Sequence, residues 1–112
     1  MEQKNETKGK IMITKNHEIL KLVSEETGVP SKIICGVSRK HGVVLAKDLY
    51  INILNRCLFK TEEEISRGLA IKREAVHNGK WRHESRMNKN PFYRHLYYKI
   101  RAIGGFDESI QD

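Results

Sequence analysis

Two cysteines, one tryptophan and 7% aromatic residues among 112 leave little for several chemistries to work with. Cys35 follows two isoleucines and Cys57 precedes Leu58-Phe59, and neither has a second cysteine two to four residues away. That excludes zinc-finger spacing and reads as two buried free thiols. The five histidines show no metal-ligand spacing; His83-Glu84 opens a zinc-protease string, but Met87 stands where its second histidine belongs. There are no paired carboxylates and no nucleophile constellation, so an enzyme, a metal and a cofactor are not expected. No secretory signal or membrane-length apolar run is present, which together with reduced thiols predicts a cytoplasmic protein. Trp81 is the only candidate stacking platform, too little for single-stranded RNA recognition. No alternation of strand type and no internal repeat occurs, so the class is all-α.

What the chain does have is positive charge in one place. The net charge is +7. Residues 67–101 hold ten Lys or Arg (Arg67, Lys72, Arg73, Lys80, Arg82, Arg86, Lys89, Arg94, Lys99 and Arg101) against two acids, Glu74 and Glu84, a local net charge of +8. The remainder is close to neutral. A localised field of this kind suits a polyanion, and the length suits one domain with a real core.

Local signals divide the chain into a flexible N-terminal arm (1–15), a helical domain (16–104) and an acidic tail (105–112). A first helix is predicted from Asn16, as N-cap, to Thr27, with Ile19, Leu20, Leu22 and Val23 inward and Gly28 ending it. PSKIICG after Val29 reads as a short helix anchored by Ile33 and Ile34, and SRKHG (38–42) as a basic loop. The central helix spans Val43 to Leu58, with Lys47, Asp48, Asn52, Asn55 and Arg56 as one polar stripe and the rest buried. Thr61 with Glu64 forms a capping box, Gly68 lies near the turn, and a basic helix follows from Lys72 to Met87. Asn90-Pro91 starts a last helix with Tyr93, Leu96, Tyr97, Ile100 and Ile103 as its apolar stripe, stopped by Gly104-Gly105. The result is a compact five- or six-helix domain.

The string TEEEISRGLAIKREAVHNGKWRHESR, residues 61–86, has the order of a helix-turn-helix: a capped acidic helix, a tight turn, a basic helix. In such a motif the start of the second helix reaches base edges, so Lys72, Arg73, His77 and Asn78 are the candidate base contacts in the major groove. Arg39, Lys40 and His41 are candidates for the adjacent minor groove. Lys47, Arg56, Lys80, Arg82 and Arg86 are candidates for phosphates. With Val76 inward, Gly79 falls on the core side and marks a close helix crossing, while Trp81 projects outward and is read as covered by the last helix through Phe92 and Tyr93. The expected partner is double-stranded DNA, with no membrane and no small-molecule substrate.

Residues 19–103 resemble the C-terminal DNA-binding domain of the bacterial replication initiator DnaA, of the Trp-repressor-like fold. VSEETGVPSKIICGVSRKHGVVLAKDLYINIL is similar to the family's opening helix, basic loop and long helix, and TEEEISRGL to its "LPEIG" helix. At the family's recognition string G-R-D-H-S/T-T-V this chain has Ala70-Ile71-Lys72-Arg73-Glu74-Ala75-Val76, keeping only the valine. The family's base contacts by Asp, His and Thr therefore do not carry over. His41 stands where the family places its minor-groove arginine. No G-x-x-x-x-G-K-S/T phosphate loop exists, so the family's ATPase module is missing, as in an excised domain or a free-standing relative. The resemblance implies DNA binding in replication or transcription control. The second reading is a protein-interaction module that kept the fold and lost DNA binding.

Overall fold

The computed structural model describes residues 16–105. Among them lie six helices and no strand: α1 (16–27), α2 (Ser31–Ile34), α3 (His41–Cys57), α4 (Glu62–Leu69), α5 (Arg73–Lys89) and α6 (Pro91–Gly104). The expected arm and nearly all of the expected acidic tail fall outside the described residues. The protein is all-α, as expected.

α3 is the hub and packs against α2, α4, α5 and α6. Its Ala46, Leu49, Ile53 and Cys57 join Ile19 and Val23 of α1, Ile65 and Leu69 of α4, Val76 of α5 and Leu96 and Ile100 of α6 in one core. Burying an aliphatic side chain of this size contributes about 1.5–3 kcal/mol, so the contiguous cluster and not helix propensity holds the bundle. Cys57 is buried and Cys35 half-buried.

The helix ends follow their local chemistry. The Glu64 amide donates to Thr61 Oγ1 (3.1 Å) and the Thr61 amide to Glu64 Oε1 (2.8 Å), the expected reciprocal cap. Asn90 Oδ1 accepts from the Tyr93 amide at 3.0 Å, with Pro91 in the first turn. Gly28 and Gly105 adopt positive φ after α1 and α6. The turn between α4 and α5 differs from expectation. Gly68 is helical, and the left-handed residue is Ala70 (φ 57°), with the Ile71 amide donating to Ser66 O at 3.1 Å. Asn16 is already helical. α3 begins at His41, so the basic loop is shorter than expected.

Two expected core positions move outward. Ile34 is fully buried, but Ile33 is 44% exposed, because a four-residue helix offers the core one face only. Ile103, near the end of α6, lines an open hollow with Leu22 instead of entering the core.

Candidate nucleic-acid interface

The polar stripe of α3 is not a solvated face. Asp48 and Asn52 are completely buried beneath α5. Asp48 accepts two hydrogen bonds from Arg82 (Nε to Oδ2 2.8 Å, Nη2 to Oδ1 3.0 Å) and one from Arg86 Nε (2.8 Å). The bond to Asp48 raises the pKa of Arg82. Asn52 Nδ2 donates to Asp48 O (2.8 Å) and Gly79 O (3.2 Å), and lies 3.5 Å from Tyr93 Oη. This works because α5 crosses α3 at Gly79, as the sequence suggested. A Cβ there would stand 3.0 Å from Asp48 Oδ1 and 3.1 Å from Ile51 Cδ1. Two helices thus approach closely enough for buried polar groups to be fully partnered, which is the condition for burying them at all.

This rearranges the phosphate candidates. Arg82 and Arg86 point toward Asp48. Lys47 is 9% exposed and donates to Gly36 O, so it ties α3 to the end of α2; burial lowers its pKa, with Asp48 opposing. Lys80 Nζ binds Glu62 Oε2 at 3.0 Å. Arg56 remains exposed, with its Nε 3.4 Å from Asn52 Oδ1. Of the ten basic residues in 67–101, six are in ion pairs, and their carboxylates (Asp48, Glu62, Glu63 and Glu26) all lie outside that stretch. Arg101 is buried over the Tyr97 and Tyr98 rings. These four carboxylates offset about half of the local +8.

One side of α5 keeps its positive charge. A groove of about 520 Å³ runs between the start of α5 and the segment leading into α3, lined by Ser38, Arg39, Lys72, Glu74, Asn78 and Arg82 among others. It brings together residues from all three candidate sets, with Lys47 and Arg82 of the phosphate set already engaged by Gly36 O and Asp48. Arg39, Lys40 and Lys72 are exposed and have no carboxylate partner among the described residues; Glu74 is the acid on the groove wall. Lys72 is the N-cap of α5 and Asn78 lies nearly two turns in, so the positive end of the helix dipole opens into this groove. His41, exposed, is the first residue of α3.

Arg73 and His77 turn to the other side of α5. Arg73 Nε lies 3.4 Å from Glu62 Oε1, and His77 Nδ1 lies 3.0 Å from Glu62 Oε2. Hydrogen bonds from His77 and Lys80 hold the Glu62 carboxyl at about 2. Trp81 Nε1 donates to His77 Nε2 at 2.8 Å, which fixes the proton of neutral His77 on Nδ1. Trp81 is 74% exposed and Phe92 is also exposed, so α6 does not cover the indole. The aromatic that fills that place is His83, buried against Tyr93 and Tyr97. Tyr93 Oη lies 2.8 Å from His83 Nδ1 and 3.5 Å from Asn52 Nδ2, so the imidazole and the phenol are hydrogen-bonded to each other inside the core. Burial, followed by the charge of Arg56, lowers His83 to about 4.

The sequence reading missed Glu62 and Asp48 as partners of the basic helix. A pairing of this kind has no local spacing signal, since the partners are 11 to 38 residues apart. Among the described residues no group of three His, Cys, Asp or Glu could hold a metal ion, and no helix is long and apolar enough to cross a membrane. Compared with family models, curated proteins and solved structures, the chain matches none.

Proposed function

We propose that the protein binds double-stranded DNA through α4, the 70–72 turn and α5, with the start of α5 in the major groove and the 38–41 segment at the flanking backbone and minor groove, in replication or transcription control. One observation carries this reading: Arg39, Lys72 and Asn78, from separate parts of the chain, line a single positively charged groove at a helix N-terminus. Asn pairs with adenine in a bidentate way, and Lys and Arg neutralise phosphates or read guanine. Arg39, Lys40 and Lys72 are the principal phosphate donors in this arrangement, with the exposed part of Arg82 beside them. No enzymatic activity, cofactor or metal enters it.

The test is a salt titration on random duplex DNA. With roughly four phosphate contacts, log K against log salt has a slope of about −3 to −4. Arg39→Ala and Lys40→Ala each weaken binding with helicity and melting temperature unchanged, because both side chains lie outside the core. A folded protein with no binding at low salt overturns the reading. The second reading, a protein-interaction module, draws on Trp81, an exposed indole on the outer side of α5 of the kind that anchors protein interfaces. It predicts no loss of DNA affinity from Arg39→Ala or Lys40→Ala.

A further inference from the structure

The geometry points to a second phosphate site on the opposite flank of α5, formed by Arg73, His77 and Lys80, that Glu62 keeps occupied in the free protein and a DNA backbone phosphate takes over in the complex. It rests on the DNA-binding reading and adds an internal competitor to it. The three donors come from three successive turns of α5 and converge on one carboxylate: Arg73 on Oε1, His77 and Lys80 on Oε2. A phosphodiester also presents one negative charge over two unshared oxygens, so the exchange conserves charge and donor count. Arg73 is exposed, His77 is half-exposed and Lys80 is partly exposed, so a phosphate can reach them without the core opening. Glu62 sits in the first turn of α4, where its side chain can swing to solvent while the Thr61–Glu64 cap stays closed.

The site carries its own reporter. Trp81, the single tryptophan of the chain, donates to the His77 nitrogen facing away from Glu62. A shift of His77 from the carboxylate to a phosphate moves the acceptor of the indole. Loss of Glu62 and binding of duplex therefore act on the same fluorophore.

Glu62→Gln is compared with Glu63→Gln, its exposed neighbour, which removes the same charge without touching α5. In duplex titrations Glu62→Gln gains about tenfold or more in affinity, Glu63→Gln gains no more than two- to threefold, and the Glu62→Gln salt slope steepens by about 1. Emission of Trp81 in free Glu62→Gln shifts in the direction seen when wild type is saturated with duplex. Glu62→Asp, which keeps the charge but shortens the reach, gains an intermediate amount and covers the case in which the glutamine variant loses helicity. Gains for Glu62→Gln and Glu62→Asp no larger than that of Glu63→Gln, with helicity intact, overturn the site and leave DNA binding standing. Absence of binding by wild type and all three variants at low salt overturns the DNA reading and the site with it.

Discussion

The two flanks of α5 carry the same kind of residue and behave differently. On one, Lys72 and Asn78 share an open groove with Arg39, and neither Lys72 nor Arg39 has a carboxylate partner among the described residues. On the other, Arg73, His77 and Lys80 are gathered around Glu62. Between them, Arg82 and Arg86 reach down to buried Asp48. Charge counted along a helix therefore overstates the charge available to a ligand. What counts is the charge left after neighbouring helices have taken their share, and along α5 that leaves Lys72 at the N-cap and Lys89 at the far end without a carboxylate partner among the described residues.

The comparison can be broken most forcefully at Asp48. Asp48→Ala leaves two guanidinium groups without their buried counter-charge and is expected to cost about 3–5 kcal/mol in urea unfolding. A cost below about 1 kcal/mol would show that Arg82 and Arg86 do not depend on Asp48, and would return both to the phosphate contacts. The flanks themselves are separated by selected duplexes. Asn78→Ala on the open flank is expected to lose about 1–3 kcal/mol on a preferred sequence and to relax discrimination there, whereas Arg73→Ala, whose guanidinium already serves Glu62, is expected to lose less. Equal losses from the two would erase the distinction.

Acid sharpens the comparison, because His83 lines the hollow on the Glu62 side with Arg56, His77, Lys80 and Trp81. Its pKa is depressed to about 4, from an ordinary value of 6.5, so between these two pH values the unfolded chain binds more protons than the folded one. Stability is flat above about pH 7, falls as pH drops from 6.5 to 4, and stops falling from this cause below 4. The expected loss is on the order of 2 kcal/mol, discounted for the solvent that still reaches the ring. His83→Gln should flatten that window in thermal melts at a series of pH values. The smallest effect belongs to Lys99, on neither flank. Its ammonium meets Glu26 of α1 at 3.0 Å on the surface, and Lys99→Ala is expected to change stability by no more than about 0.5 kcal/mol and DNA affinity by less than twofold.

Features set by neighbours in sequence were legible: the Thr61–Glu64 cap, the Asn90-Pro91 start, Gly28 and Gly105, and the close crossing at Gly79. Each depends on groups within a few residues, or on the absence of one Cβ. Features set by which helix arrives opposite were not. Spacing places Lys47, Asp48 and Asn52 on one face of α3, but polar character alone assigns that face to water; only the arrival of Arg82, Arg86 and the Gly79 carbonyl makes it interior. Trp81 was misplaced for a related reason, since hydrophobicity suggested cover from α6 and His83 had already taken the space beside Tyr93 and Tyr97. The candidate site was legible in its residue types at Arg39, Lys72 and Asn78. It was not legible in its available charge, because Glu62 and Asp48 lie on other helices.

The polar seam beneath Gly79 also sets a timetable. Amides of α3 and α5 around Asp48, Asn52 and Gly79 can exchange their hydrogens only when that seam parts, and parting exposes buried charge, so they belong with the slowest-exchanging group in the molecule. α2 has four residues and one fully buried anchor, Ile34, and Val37 beyond it is almost wholly exposed. Apart from the tie of Lys47 to Gly36 O, few contacts hold it, and its amides and those of the 35–40 segment are expected to exchange faster, through small local openings. The groove proposed for DNA thus has one wall that keeps its shape for as long as the bundle is folded and one that yields on a much shorter clock, so that a rigid duplex edge can be met first by the stiff wall and then closed upon by the soft one.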